Sequence, residues 1–294
     1  MANLLVVGSS NTDMVVKTDR FPRPGETIIG GEFFLFPGGK GANQAVAAAR
    51  LGGRVAFVSR VGDDLFGRQA VAGFRAEGID CTHVSTDPDA ASGTALITVD
   101  AAGENSIVVA PGANADLSPT LLADVDLSAY TVVLTQLETP LATVEALVRQ
   151  HERVVLNPAP AQPLADELLA NLYCITPNET EAEILTGVPV DDDDSCRTAA
   201  ARLLAKGVSR VIITLGARGA YFTDGTNERF FPAPVVQAVD TTAAGDVFNG
   251  ALAAALANDQ DWPAAIEQAI RAASLSVTRM GAQASAPSAA ELPD

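Results

Sequence analysis

The residue best placed to do chemistry is Asp246, in the segment VDTTAAGDVFNG. The β-branched stretch 235–239 predicts a strand before this segment, and ALAAALA at 251–257 predicts a helix after it. The small residues 243–245 would let a phosphate approach the unpaired N–H groups of a first helical turn. Asp246 could then accept the proton of an attacking hydroxyl. A carboxylate that only favours the helix start explains this stretch about as well.

A second candidate is the glycine-rich segment PGGKGAN at 37–43, ahead of the predicted helix QAVAAARLG. Its glycines permit positive φ and close backbone approach, while Lys40 and Asn43 supply polar side chains. The spacing is not that of a Walker A loop, and an ordinary glycine-rich turn is the alternative. Asn11 and Asp13, directly after the first predicted strand, add hydrogen-bonding groups that suit a hydroxyl-rich ligand.

Three further places follow predicted strands. Asn178 and Glu181, in TPNETE, are one helical turn apart and could hold water around magnesium, although the same pattern caps a helix. The segment Thr214–Gly219 (TLGARG) could wrap a nucleotide, and a plain β-turn explains it nearly as well. Glu138, in TQLETP, could reach the same place, where an ordinary strand-end carboxylate is the default.

Short β-branched runs alternate with Ala/Leu-rich segments of helical length, which predicts a parallel sheet flanked by helices. The predicted strands are Leu4–Val7, Val55–Val58, Thr131–Leu134, Val154–Leu156 and Val211–Thr214. The predicted helices include Ala42–Leu51, Leu141–Gln150 and Thr198–Ala205. Because no repeat or low-complexity linker divides the chain, residues 1–294 are expected to form a single α/β domain.

Two places break this alternation: TIIGGEFFLF at 27–36, and the pair of predicted strands 94–99 and 106–110. They have no helices of their own. They could form a small second sheet above the carboxyl ends of the main strands, where open α/β sheets bind ligands. An antiparallel extension at the sheet edge is the alternative. The apolar FFLF also indicates a protein partner.

Composition excludes several classes of protein. The net charge of −17, from 19 basic and 36 acidic residues, disfavours nucleic acid and anionic lipid as partners. No membrane-spanning stretch or basic, apolar leader is present, so we expect a cytoplasmic protein without membrane contact. The three cysteines are far apart and predict neither disulfides nor a thiolate metal site.

Taken together, GSSNTD, PGGKGANQAVAAARLG, TQLETP, NPAPA, TPNETEAEILTG, TLGARG and VDTTAAGDVFNGAL resemble, in that order, the ribokinase family of carbohydrate kinases. The resemblance covers nearly the whole chain. It implies a doubly wound, mostly parallel sheet with helices on both faces and a β-sheet lid, formed by about 14–37 and 93–112. In this family the lid often serves as the dimer contact, so a homodimer is expected.

The resemblance also implies transfer of the γ-phosphate of ATP to the 5-hydroxyl of D-ribose, with Mg²⁺ and a monovalent cation, usually K⁺. Relatives that act on deoxyribose, fructose, keto-deoxygluconate or a nucleoside stay open, as does a non-catalytic sugar or nucleotide sensor. Ile270 departs from the family pattern, because many relatives have Asn or His there beside the adenine.

The resemblance assigns roles by position. The base is Asp246, and the anion hole is Ala243, Ala244 and Gly245. With Asp246, the sugar-binding positions are Asn11, Thr12, Asp13, Gly39, Lys40, Gly41, Ala42, Asn43 and Glu138. The nucleotide positions are Asn178, Glu181, Thr214, Leu215, Gly216, Ala217, Arg218, Gly219 and Gly245, and Glu181 is associated with magnesium and phosphate. The monovalent-cation positions, several through backbone carbonyls, are Asp240, Thr242, Ser276, Arg279, Gly281 and Ser285.

Overall fold

A nine-stranded sheet runs through the part of the chain that the computed structural model describes, residues 3–292. In this part the strands are β1 Leu4–Val7, β2 Asn11–Lys17, β3 Glu32–Gly38, β4 Val55–Gly62, β5 Val84–Asp87, β6 Gly93–Val99, β7 Asn105–Ala110, β8 Val132–Thr135, β9 Val154–Leu156, β10 Cys174–Ile175, β11 Val211–Thr214, β12 Ala220–Thr223 and β13 Glu228–Phe231. The α-helices are α1 Lys40–Arg50, α2 Leu65–Ala76, α3 Leu141–Gln150, α4 Asp166–Leu169, α5 Glu179–Thr186, α6 Asp193–Ala205, α7 Ala244–Ala257 and α8 Trp262–Ser276.

The strand order of the large sheet is β13-β12-β11-β10-β9-β8-β1-β4-β5. The strands from β11 to β5 are parallel, and β12 and β13 extend the sheet antiparallel at one edge. The predicted mostly parallel α/β core is therefore confirmed. None of the described helices is long and apolar enough to span a bilayer.

The central strand β1 shows how the core is divided. All four of its residues are buried; Leu4 and Val6 face a cluster with α1, α7 and α8, and Leu5 and Val7 face a cluster with α3, α5 and α6. Side chains of a strand alternate between the two faces of a sheet, and both faces here are covered by helices. This arrangement is the doubly wound fold that the resemblance implies.

A separate four-stranded sheet, of order β3-β2-β6-β7, forms the lid. Its register places Asp13 beside Ala95 and Val109, on the face that lines the main cleft. The opposite face carries Leu35, Met14, Leu96 and Val108 in one row across the strands. The predicted second sheet is present, although residues 27–31 of the predicted strand are irregular and contain two glycines with positive φ.

Helices α1 and α7 pack unusually closely because small residues line their contact. A Cβ atom on Gly250 would lie 2.5 Å from the backbone oxygen of Gln44 and 2.8 Å from the Cβ of Ala47. Real side chains do not tolerate such distances, so glycine is required there. The close approach brings the first turns of the two helices together.

The strand predicted at 235–239 is wrong. These residues are irregular, and Val235 and Val239 are exposed. The edge of the large sheet is already formed by β13, and the amides of Val239 and Asp240 donate instead to the carbonyl of Val277. The β-branched residues lie in a loop that leads from the sheet edge to α7.

Candidate active site

One cleft of about 350 Å³ lies between the lid and the carboxyl ends of the large sheet. Side chains reach it from loops after several parallel strands, as is usual for ligand sites in open α/β sheets. Of the predicted residues, those lining the cleft are Asn11, Asp13, Gly39, Lys40, Asn43, Glu138, Asn178, Glu181, Thr214, Thr242, Ala243, Ala244, Gly245 and Asp246. The structure thus brings together residues that are up to 235 positions apart in the chain.

Asp246 lies in the first turn of α7, and only 5% of its surface is exposed. Its Oδ2 accepts a hydrogen bond of 3.0 Å from Asn43 Nδ2, and its Oδ1 accepts one of 3.0 Å from Gln44 Nε2. Burial raises the pKa of Asp246, while the Lys40 ammonium and the two amide donors oppose this rise. The carboxyl group is therefore fixed in one orientation beside the cleft.

The N-terminus of α7 leaves backbone donors unpaired. Ala243 has φ +59°, in the left-handed region, and the helix has no side-chain cap. Within residues 3–292, the amides of Ala243, Gly245 and Asp246 donate to no protein acceptor. Gly245 adds open space, since a Cβ there would meet no atom within 4 Å. Unpaired amides at a helix N-terminus are the groups that bind anions in many proteins, which agrees with the predicted anion hole.

The N-terminus of α5 is capped by its own side chains. The Asn178 side chain accepts from the Glu181 amide at 2.8 Å, and Glu181 Oε2 accepts from the Asn178 amide at 2.9 Å. This capping box is the alternative that the sequence left open. Both side chains nevertheless line the cleft, and burial raises the pKa of Glu181.

Carboxylates surround Lys40 on the lid side of the cleft. Glu138 Oε2 accepts from the Lys40 amide at 3.0 Å and from Ser9 Oγ at 2.6 Å. Burial, together with the nearby charges of Glu138 and Asp246, raises the pKa of Asp13 to about 6. Burial disfavours the Lys40 ammonium, but these carboxylates outweigh it and raise the pKa of Lys40.

Some predicted residues lie outside the cleft lining. Thr12 alternates with Asn11 and Asp13 along β2 and is on the other face of the lid. Gly41 and Ala42 pack against the loop after β1, where Ser9 O accepts from the Ala42 amide at 2.8 Å. Ile270 is buried in the α1, α7 and α8 cluster.

Of the TLGARG segment only Thr214 lines the cleft. Leu215 is buried, and its amide donates to the carbonyl of Gly219 at 2.8 Å, which closes a tight turn. Arg218 forms ion pairs with Glu179 and Asp193. The residues that make this turn are Gly216, Ala217, Arg218 and Gly219.

Three of the predicted cation residues, Asp240, Thr242 and Gly281, are joined by hydrogen bonds. Asp240 Oδ1 accepts from the Thr242 amide at 2.9 Å, and Asp240 Oδ2 accepts from the Gly281 amide at 2.8 Å. Burial opposes ionisation, but these hydrogen bonds lower the pKa of Asp240 below its usual value. The guanidinium of Arg279 forms an ion pair with Glu291. No group of three or more His, Cys, Asp or Glu side chains among the described residues could hold a metal.

The sequence did not single out four buried side-chain amides near Asp246, those of Gln44, Gln136, Asn157 and Asn249. Gln44 Nε2 also donates to Asn157 Oδ1 at 2.9 Å, and Gln44 Oε1 accepts from Gln136 Nε2 at 2.7 Å. Asn249 Nδ2 donates to the carbonyl of Gly245 at 2.8 Å. Asn249 could have been found from the sequence, because it lies one helical turn after Asp246 on α7. The contacts of Gln44, Gln136 and Asn157 join segments that are far apart in the sequence.

Comparison with known proteins agrees with this geometry. Residues 1–289 match the model of the pfkB family carbohydrate kinases. The chain is 47% identical to a ribokinase of Haemophilus influenzae, over 98% of this chain and 96% of that protein. It is 40% identical to a deoxyribokinase of Salmonella typhi, over 97% and 96%.

Among solved structures, a ribokinase of Arabidopsis thaliana complexed with ribose and ATP superposes with a TM-score of 0.92. The two chains are 33% identical, and the match covers 99% of this chain and 97% of the plant protein. The family match, the close relatives and the shared fold all extend over nearly the full length. The chain therefore belongs to the pfkB family of carbohydrate kinases.

Proposed function

We propose that this protein transfers the γ-phosphate of ATP to the 5-hydroxyl of D-ribose, giving ribose 5-phosphate and ADP. One observation carries the proposal: the buried carboxylate of Asp246 lies in the same helical turn as the unpaired amides of Ala243 and Gly245. This turn borders a cleft whose polar side chains could hydrogen-bond a sugar. The ribokinase relatives and the plant ribokinase complexed with ribose and ATP support ribose as the substrate.

The lid side of the cleft would hold the sugar. Asn11, Asp13, Lys40, Asn43 and Glu138 offer donors and acceptors for several hydroxyl groups. With a pKa of about 6, Asp13 is ionised at neutral pH and accepts hydrogen bonds from the sugar. The apolar lid residues Ala95, Ile97, Ile107 and Val109 exclude water above it.

Asp246 acts as the general base in this proposal. It takes the proton of the attacking hydroxyl as the new O–P bond forms and ADP leaves. A raised pKa suits this role, because a base works best when its pKa approaches the working pH. The unpaired amides of the α7 turn stabilise the charge on the transferring phosphoryl group.

The side chains fit the two implied ions. Mg²⁺ prefers oxygen ligands, mostly water and substrate phosphate, and Glu181 with Asn178 would hold its water shell. When bound, it neutralises phosphate charge. K⁺ would be held by oxygen atoms of Asp240, Thr242, Ser276, Arg279, Gly281 and Ser285. The Asp240 carboxylate accepts hydrogen bonds from the amides of Thr242 and Gly281 and so holds these two loops together. When bound, K⁺ would supply positive charge that favours binding of the phosphate.

The lid, spanning about 14–37 and 93–112 of one α/β domain, is also proposed as the contact of a homodimer. On its outer face Phe33 is 59% exposed and Val108 is 65% exposed. An apolar row of this kind is covered when a second copy packs against it. Use of ATP and three free cysteines support a place in the cytoplasm.

The test is release of ADP by the purified protein with a panel of sugars, with and without Mg²⁺ and K⁺. D-ribose should give the highest kcat/KM, and K⁺ should raise the rate. The deoxyribokinase relative makes deoxyribose the second candidate, and a preference for it would replace ribose in the proposal. Sugar binding without turnover would support the sensor instead.

A further inference from the structure

Asn114 is a buried residue that the proposed mechanism does not use. It lies in the 3-10 helix Gly112–Asp116 that follows the last lid strand, and it is 1% exposed. Its Oδ1 accepts from the Ser10 amide at 2.9 Å, and its Nδ2 donates to the Ser10 carbonyl at 3.1 Å. Its Nδ2 also donates to Asn11 Oδ1 at 2.8 Å. Asn114 thus joins the end of the lid to its first strand.

These contacts fix the orientation of two amide groups. The oxygen and nitrogen of an Asn side chain must be assigned from their partners. A backbone N–H can only donate and a carbonyl can only accept, so Ser10 determines which atom of Asn114 is Oδ1 and which is Nδ2. The second hydrogen of Asn114 Nδ2 then requires an acceptor, which must be the oxygen of Asn11.

Asn11 is consequently oriented with its NH₂ group away from Asn114. Within residues 3–292 this Nδ2 has no protein acceptor, and Asn11 lines the cleft. Asp13 lines the same face of the lid, two residues further along β2. A donor from Asn11 and an acceptor from Asp13 therefore lie side by side.

Gly93 leaves room for this amide pair. A Cβ there would lie 2.1 Å from Asn114 Nδ2 and 2.2 Å from Asn11 Oδ1. Both atoms are held by buried contacts and cannot move aside freely, so an alanine would separate them. A glycine at position 93 is therefore needed for the observed orientation of Asn11 in the cleft.

We propose that Asn114 is a positioning residue that presents Asn11 to the sugar as a hydrogen-bond donor. This inference rests on the proposed sugar site. It follows that the sugar oxygen opposite Asn11 accepts a hydrogen bond, and a hydroxyl there can donate its own hydrogen to Asp13. Sugars that lack this hydroxyl leave both side chains without their partner.

Asn11→Asp tests the orientation directly, because it keeps an oxygen toward Asn114 and replaces the donor toward the cleft by an oxygen. The sugar KM should rise about tenfold or more, as expected for loss of a hydrogen bond and its replacement by two facing acceptors. The KM for ATP should stay within about twofold. Asn171→Asp, which adds the same charge at an exposed position outside the lid and the cleft lining, is the control and should change neither.

If Asn11→Asp leaves the sugar KM within about twofold of the wild type, Asn11 is an acceptor and the proposal is overturned. Asn11→Leu removes both polar atoms of the side chain, and its sugar KM serves as the reference for the complete loss of this hydrogen-bonding group. We expect the Asp variant to be at least as impaired as the Leu variant. An Asp variant clearly better than the Leu variant would also contradict the proposed donor.

Asn114→Asp and Gly93→Ala test the positioning role without touching the sugar. Asn114→Asp gives Asn11 an acceptor on that side, so its NH₂ group can turn away from the cleft. Both variants should raise the sugar KM several-fold at nearly constant kcat and ATP KM. A lower Tm with an unchanged sugar KM would show a merely structural role and overturn the proposal.

All these assays use whichever sugar the wild-type protein phosphorylates fastest. If that sugar is not D-ribose, the proposed function fails while the role of Asn114 is still measured. If it is D-ribose and the variants behave like the wild type, the role of Asn114 fails alone.

Discussion

Helices α5 and α7 both begin at the edge of the active-site cleft, yet their first turns differ in chemistry. At α5 the side chain of Asn178 accepts a hydrogen bond from the Glu181 amide, and the side chain of Glu181 accepts one from the Asn178 amide. At α7 no side chain caps the helix, and Ala243 holds a left-handed conformation that costs about 1 kcal/mol. A helix that gives up its cap and accepts backbone strain keeps its donors available for a ligand.

The presence of a cap on α5 and its absence on α7 indicate different roles for two helix starts with similar sequence patterns. Both segments follow the large sheet and enter a helix through small or polar residues. The α5 turn carries its own side-chain cap and adds side chains to the rim of the cleft. The α7 turn keeps amides free for the proposed anion, and it also contains the proposed base.

The largest expected effect comes from the base itself. Asp246→Asn keeps the shape of the side chain but cannot take a proton, so kcat should fall about a thousandfold or more. Sugar and ATP should still bind, as measured by calorimetry. A variant with near-normal turnover would remove Asp246 from its proposed role.

Gly245→Ala should separate activity from stability. The methyl group meets no protein atom and improves helix propensity, so the free energy of unfolding should rise by up to about 1 kcal/mol. It occupies the open space beside the unpaired amides, so kcat/KM should fall about a hundredfold. Gly73→Ala, on an equally open position of α2, is the control. It should gain stability and keep full activity, and equal activity of the two variants would refute the anion-binding turn.

Gln44→Leu should change the pH dependence of turnover. The Gln44 amide donates to Asp246 and favours its ionised form, so its loss raises the pKa of Asp246. The acid side of the kcat profile should therefore move to higher pH, because a higher pH is then needed to ionise the base. Gln136→Leu also removes a buried amide next to Gln44 but leaves both donors to Asp246 in place. An equal shift in that variant would contradict the assignment.

Asn178→Ala should affect stability more than chemistry. Loss of the cap should cost about 1 kcal/mol in the free energy of unfolding. The KM for ATP should rise a few-fold, while kcat stays close to that of the wild type. Asp261→Ala removes the cap of α8, whose side chain accepts from the Ala264 amide. This control should show the same loss of stability without any change in KM.

The smallest effect is expected at Ala243. Glycine adopts positive φ without steric cost, so Ala243→Gly should raise the free energy of unfolding by up to about 1 kcal/mol with little change in kcat. Asp259→Gly, at φ +60° beyond the other end of α7, should gain less because Asp tolerates this region better. A loss of stability at 243 would contradict the strain inferred for α7.

The sequence predicted the sheet, the lid and the α7 turn because their signals are local. Runs of β-branched residues and the position of Gly245 before Asp246 need no knowledge of distant segments. The same local signal failed at 235–239, where a loop carries strand-forming residues because the sheet edge is already occupied.

The supporting amides could not be predicted in this way. Gln44 contacts Asp246 across 202 positions of sequence, and Asn114 contacts Asn11 across 103. Such pairs depend on how closely α1 approaches α7 and on where the lid returns to the core. The position of Thr12 has a simpler reason. Alternation along β2 puts its side chain on the face of the lid opposite to that of Asp13, outside the cleft lining.

The most direct test is a crystal structure with D-ribose, Mg-ADP and aluminium fluoride, which imitates the transferring phosphoryl group. The fluoride should lie on the amides of Ala243–Asp246, and the 5-hydroxyl oxygen should lie within about 3 Å of an Asp246 carboxylate oxygen. A fluoride bound elsewhere, or a sugar whose 5-hydroxyl is remote from Asp246, would contradict the account.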